Sequence, residues 1–311
     1  MRKLSTGDRI GTQPQTTLQS AGGSSAATAA AAALPDVATS LARKIRYGRY
    51  LSVAVIALLC ALIVRAFAVG KISWNVVGDF LFSGDMLWGI VNTVVLTASA
   101  MVLGILLGLI TALMGNSANP VLRGAAASYI FVFRAVPALL QLLIWYNLAL
   151  IFPTIAIPGL FEVKTTQVVT PFVAGLLAFG ILQGAYTSEV IRSGLLSVGK
   201  GQLEAARAIG MTQAQALRRI IIPQAMRIIV PPIGNETIGM VKFTSLASVI
   251  QYKELIYNAQ VVYYSTGRVI ELLFVAAFWY AVVVAALSLI QSRIERHYNR
   301  SLAPEAVRGL A

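Results

Sequence analysis

Charge is scarce in this chain. Only 12% of its 311 residues are Asp, Glu, Lys or Arg, against 57% hydrophobic, and the mean hydropathy is +0.75. A soluble domain carries about 25% charged residues, so about half the charge needed to cover a water-facing surface is missing. That excludes a soluble protein and leaves a membrane protein. Cysteine and histidine are nearly absent. Cys60 lies alone in an apolar run, and with a single His in the chain neither a disulfide framework nor a Cys/His metal site is available. His297 sits among Arg293, Arg296 and Arg300 with no Ser or carboxylate constellation pointing to catalysis. The chain is therefore expected to be no enzyme, with no catalytic residue, metal site or cofactor.

Acidic residues are the scarcer sign, 12 against 25 basic ones, and the net charge is +13. Placement separates a nucleic-acid binder from a membrane protein. Seven Lys and Arg precede the first apolar stretch, six fall between Arg192 and Arg227, and four follow the last stretch. Long uncharged runs separate them, without aromatic interleaving, so no nucleic-acid partner is expected. Positive charge confined to alternate loops is how a polytopic protein fixes its orientation.

A spanning helix needs about 20 mostly apolar residues. Six stretches qualify, at about 50–69, 88–114, 124–151, 171–192, 225–250 and 271–292. The expected fold is an all-α polytopic membrane helical bundle. Its parts are a disordered cytoplasmic tail at 1–42, an additional uncleaved span within 43–70, a transmembrane domain at 71–296 with a cytoplasmic loop at 193–224, and a C-terminal tail at 297–311. Both termini are expected in the cytoplasm, because the opposite loops contain only Lys71, Lys164, Lys253 and Arg268. The stretch 225–250 is interrupted by Pro231, Pro232, Gly234, Asn235 and Glu236. A broken helix survives at membrane depth only where protein or a wet cavity satisfies its backbone.

Two GxxxG patterns, Gly104/Gly108 and Gly180/Gly184, predict close helix packing. Gly194-Leu-Leu-Ser-Val-Gly199-Lys200-Gly201 imitates a phosphate-binding loop but ends in Gly201, which has no hydroxyl for Mg²⁺, and no buried strand precedes it. Any ATP is then handled by another polypeptide. The following segment is more informative. Gln202 to Ile209 are good helix formers, Gly210 is placed to end a helix, and Thr212 with Gln215 forms a capping box opening a second helix that runs into Pro223. Ala205, Ala206 and Ala208 leave the first helix slim enough to seat in a partner's cleft.

Glu204-Ala205-Ala206, followed by Gly210, Ile220 and Pro223 at their spacing, resembles the EAA signature of ABC-importer permeases. The stretches NTVVLT from Asn92, FRAVPALLQ from Phe131, QGAYTSEVIRSG from Gln183, PQAMRIIVPPIGNE from Pro223 and KFTSL from Lys242 are similar to the polar-amino-acid branch, which takes up histidine, glutamine, glutamate or arginine. Departures are Ala135-Val136, where Gly-Thr is common, and Ile222 in place of Leu. The resemblance covers about 88–296. It implies a five-helix type I importer permease core plus the N-terminal span, in a bacterial inner (plasma) membrane. It assigns Glu204, Ala205, Ala206 and Gly210 to docking on an ABC ATPase subunit dimer. Further implied partners are a second permease chain, identical or paralogous, a periplasmic or extracellular solute-binding protein, and the polar amino acid itself.

Glu189, Glu236 and Lys242 fall inside the proposed spans, where each charge costs about 3 kcal/mol on insertion scales. Glu189 has Arg192 at i+3 and Arg134 as alternative partners. At about 100° per residue, Asn235, Gly239 and Lys242 share one face and Glu236 is turned away. Lys242 then either holds a substrate carboxylate beside unwound backbone or pairs with a neighbouring helix. Gln183 and Tyr186 are further candidates for the same pathway. The rival function is an ion-coupled secondary amino-acid transporter using Glu189, Glu236 and Lys242 as a relay. Such transporters often carry internal inverted repeats, which this sequence does not display, and they need no docking loop. A membrane-embedded enzyme ranks third, for want of paired-carboxylate, His or Cys chemistry.

Overall fold

The computed structural model describes residues 47–70, 72–157 and 161–299. The expected tail at 1–42 lies outside the described residues, as does 300–311 of the expected C-terminal tail. The chain divides into two compact units, one up to Gly70 and one from Lys71. In the first, α1 (Tyr47–Val69) is a 23-residue apolar helix, about 35 Å long at 1.5 Å per residue.

In the second unit, α2 (Trp74–Leu81), α3 (Gly84–Gly115), α4 (Pro120–Ala135) and α5 (Ala138–Tyr146) come first. A two-stranded antiparallel hairpin follows, β1 (Thr154–Ile157) and β2 (Phe161–Lys164), with Ile155 opposite Val163. Next are the short α6 (Thr165–Val168), the long α7 (Pro171–Leu196), α8 (Lys200–Ala208) and α9 (Gln213–Ala216). A π turn at Leu217–Ile221 leads into α10 (Ile222–Phe243), and a 3₁₀ segment at Thr244–Ile250 precedes α11 (Leu255–Thr266) and α12 (Val269–Asn299). Among the described residues the fold is all-α apart from the hairpin.

Each of the six apolar stretches is helical. By length and composition, four of the described helices can cross a membrane (within α1, α3, α7 and α12), and five if α4 and α5 are one span. α10, with Arg227, Glu236 and Lys242, is not among them. The stretch at 124–151 differs from a simple span, because α4 and α5 meet at 100°. Pro137 is the cause. The residue before a proline is pushed out of the helical region, and Val136 is extended, at φ −89° and ψ 128°. The Gln141 amide bridges the break, donating from Nε2 to the Phe133 and Val136 carbonyls at 2.8 Å each.

α3 and α7 form the centre through their interlocking glycines. A Cβ on Gly104 would lie 2.6 Å from Gln183 Cγ, and one on Gly108 2.8 Å from Thr187 Cβ. Reciprocally, a Cβ on Gly180 would meet Leu103 Cδ2 at 2.6 Å, and one on Gly184 would meet Leu107 Cβ at 2.8 Å. Lipid tails offer no hydrophobic drive between helices, so close backbone approach and its dispersion contacts hold them together. Leu96, Ala100, Ala174, Ala178 and Phe179 are buried along the same seam.

Two expectations about the backbone are corrected. Pro231 and Pro232 do not break the stretch 225–250, because α10 is continuous through both. Gln291 of α12 packs against this stretch, where a Cβ on Gly234 would meet its amide, and donates from Nε2 to the Pro231 carbonyl at 3.1 Å. The α-helix instead gives way later, to the tighter 3₁₀ turns of Thr244–Ile250, which end at Gln251 with φ 62°. Pro223 is likewise no stop. It occupies the first turn of α10, where its missing N–H costs little, and the wider π turn just before it accommodates the lost i→i−4 partner.

Candidate functional site

Gln183 and Thr187, one turn apart on α7, share a face toward α10. Gln183 Nε2 donates to Thr187 Oγ1 at 3.0 Å and to Glu236 Oε2 at 2.5 Å, and Thr187 Oγ1 donates to the same carboxylate oxygen at 3.3 Å. Glu236, half-buried, makes no ion pair among the described residues. With Gln183, Tyr186, Arg134, Phe179 and Phe243 it lines a cavity of about 420 Å³. The walls are otherwise mostly apolar.

The α10 stripe facing this cavity is Glu236, Gly239, Met240 and Phe243, spaced i, i+3, i+4, i+7 as one side of a continuous helix. The stripe shares Gly239 with the face expected from the sequence and adds Glu236. Glu236 points in, whereas Asn235 and Lys242 are exposed and lie outside the cavity lining. Lys242 has no ion-pair partner among the described residues. Gln183 and Tyr186 are brought together with Glu236; Lys242 and Asn235 are not.

Arg134 sits in the last turn of α4, just before the Pro137 bend. Its guanidinium lies 5.0 Å from the Tyr186 ring centroid, a cation–π contact. Tyr129, one and a half turns earlier, fixes α4 on α7 by donating from its hydroxyl to the Ile181 carbonyl at 2.5 Å. Glu189 resolves its alternatives in favour of Arg192, at 2.6 Å and i,i+3. Arg134, Tyr186, Glu189 and Arg192, with Arg123, line a second and more open cavity of about 670 Å³.

The loop after α7 has the expected punctuation. Gly210 has φ +79°. Met211 N–H donates to the Ala206 carbonyl and Gly210 N–H to that of Arg207, both at 3.0 Å, the double bond pattern that closes a helix around a left-handed residue. Thr212 and Gln215 exchange both bonds of the capping box, at 3.3 and 2.9 Å. On α8, Ala206 is buried and turned inward, whereas Glu204, Ala205 and Ala208 are exposed. Ile209 at the tip is 76% exposed, a large apolar side chain left in the open.

One buried acid outside both cavities escaped the sequence. Glu254 is fully buried. It caps α11 by accepting from Ile256 and Tyr257 N–H at 2.9 and 2.7 Å, and accepts from the Tyr280 hydroxyl at 2.7 Å. Burial pushes its carboxyl up to about 7, against the opposing pull of these donors. An acidic residue immediately ahead of an apolar helix start was the available sign.

Residues 104–303 match the model of the family described as binding-protein-dependent transport system inner membrane component. The chain is similar to the arginine transport system permease protein ArgU of Corynebacterium glutamicum, at 36% identity over 81% of each chain. It is 39% identical to the L-cystine transport system permease protein TcyB of Bacillus subtilis, over 69% of this chain and 87% of that one. Among solved structures it resembles the crystal structure of an amino acid ABC transporter with histidines. There the TM-score is 0.60 and the identity 38%, covering 68% of this chain and 94% of that one. With the family model spanning the cavity helices, the capped loop and the last helix, this chain belongs to the ABC-importer permeases, the inner membrane components of binding-protein-dependent transport systems.

Proposed function

We propose that this permease moves a polar amino acid into the cytoplasm, driven by separate ATPase subunits that grip α8. The observation that carries this reading is the exposed α8–Gly210 element, a short helix closed on itself and opened again by a capping box. Glu204, Ala205 and Ile209 form its outward contact surface, and Gly210 fixes the angle at which the surface is presented. Both termini, the docking loop 193–224 and the end of α7 then face the cytoplasm, in line with the basic residues there. One chain supplies one docking helix, so a second permease chain, identical or paralogous, completes the channel. A solute-binding protein delivers the amino acid at the opposite face.

Gln183, Tyr186 and Glu236 are assigned to the solute path. An amino acid carries an ammonium and a carboxylate, and the 420 Å³ cavity presents both complements, the Glu236 carboxylate and the Arg134 guanidinium. Asn235 and Lys242, outside this lining, are assigned no direct contact with solute in that cavity. ATP-driven uptake by the reconstituted complex, with unaltered chain and with Glu236→Gln, tests the assignment. Uptake is expected to fall about tenfold, as the loss of one charge-assisted hydrogen bond of roughly 1.5 kcal/mol implies. Uptake unchanged by the substitution would remove Glu236 from the path.

A further inference from the structure

The two cavities are neighbours with a common wall. The smaller one reaches from Phe179, Leu182 and Gln183 to Phe243, and the larger one lies toward Gly115, Arg123 and Arg192, at the ends of α3 and α7 nearest the docking loop. Only three side chains line both: Arg134, Ala135 and Tyr186. Two of these are the cation–π pair at 5.0 Å. Arg134 stands at the end of a helix held to α7 by Tyr129 and cut short by the bend at Pro137. A guanidinium there can stay on the ring or swing away with little backbone movement. The charges on the two sides also differ: Glu236 on the deeper side, Arg123 and the Glu189–Arg192 pair on the other.

We propose that Arg134 laid on Tyr186 is the inner gate of the solute path. The pair separates the Glu236 cavity from the cavity that opens toward the docking loop, and a transported amino acid must part it. Resting on the reading of the Glu236 cavity as the path, this adds where and by which residues the path is closed. A ring and a guanidinium suit the role because their attraction is modest and reversible, and the solute's carboxylate competes for the same guanidinium.

The test uses the full transporter in inside-out vesicles without ATP, in a Cys60→Ser background that removes the native thiol. A reporter thiol is placed by Gly239→Cys, where the added side chain meets open space within the deeper cavity. A control thiol is placed by Ala127→Cys in the other cavity. Labelling by a membrane-impermeant methanethiosulfonate is timed from the cytoplasmic side. Arg134→Ala and Tyr186→Ala are each expected to speed labelling at position 239 about fivefold, the factor a cation–π contact of ordinary strength gives to a closed–open equilibrium. Tyr186→Phe, which keeps the ring face, is expected to stay within about twofold of the parent, and position 127 is expected to label at an unchanged rate in every variant. Equal rates at position 239 with and without the ring overturn the gate. So does equal acceleration at position 127, since a partition protects only what lies behind it. Uptake by the unaltered complex fails separately if the transport reading is wrong; with uptake present, the labelling rates alone decide.

Discussion

Replacing Gly184 by Ala puts one methyl group into the seam between α3, α4 and α7. Its carbon would lie 2.5 Å from the Tyr129 hydroxyl oxygen and 2.8 Å from Leu107 Cβ. Neither can yield easily: Leu107 Cβ is tied to the α3 backbone, and the hydroxyl is bonded to the Ile181 carbonyl. Overpacking costs about 1–3 kcal/mol and the displaced hydrogen bond about 1 kcal/mol, so Gly184→Ala should destabilise by about 2–4 kcal/mol. Tyr129→Phe alone should cost about 1 kcal/mol. The double variant is the informative one, because deleting the hydroxyl removes both the bond and one of the two clashes. The two changes should therefore fall short of additive by about 1 kcal/mol, with the Leu107 clash remaining. Thermal unfolding of the detergent-solubilised permease for the four forms gives the cycle. Strict additivity, or a neutral Gly184→Ala, would refute the interlocked-glycine account of this seam.

Other expectations bear on coupling, the path and pH. Gly210→Ala meets no neighbour but forces a Cβ onto φ +79°, a strain of about 1–2 kcal/mol. The ratio of solute moved to ATP hydrolysed should fall while membrane insertion persists, with Gly210→Trp more severe; an unchanged ratio in both would detach this loop from coupling. Lys242→Gln should leave uptake much closer to the parent than Glu236→Gln does, and the reverse order in transport assays would return Lys242 to the path. Glu254 binds its proton more tightly folded than unfolded, since its carboxyl rises from 4.5 to about 7. Its contribution is present below about pH 4.5 and lost as pH rises through 7, worth about 3 kcal/mol. Melting temperature should therefore fall more steeply over that window in the parent than in Glu254→Gln, and equal slopes would contradict the buried-carboxylate assignment.

Local rules made part of the site legible. Gly210 as a left-handed stop, the Thr212–Gln215 box and the Glu189–Arg192 pair all depend on residues within four positions of one another, where backbone geometry alone fixes the contact. Four of the six apolar stretches and the two GxxxG patterns were equally readable, because span length and small-residue spacing are properties of one helix; the 100° bend within 124–151 was not. The prolines misled: α10 runs through Pro231 and Pro232 in a neighbourhood that includes Gln291 of α12, far along the chain and invisible to local rules.

The sequence alone determined what this chain is made of: sparsely charged helices long enough to cross lipid, and a capped helix among basic residues. Tertiary structure decided which residues meet. Glu236 was placed by its distance from Gln183 and Thr187, on a helix about fifty residues away, and Arg134 by the bend at Pro137 and the anchor at Tyr129. Helical periodicity sets which side chains share a face, but not which face turns inward. That choice is made by neighbouring helices, through close-packed glycines and through buried polar groups that must find partners.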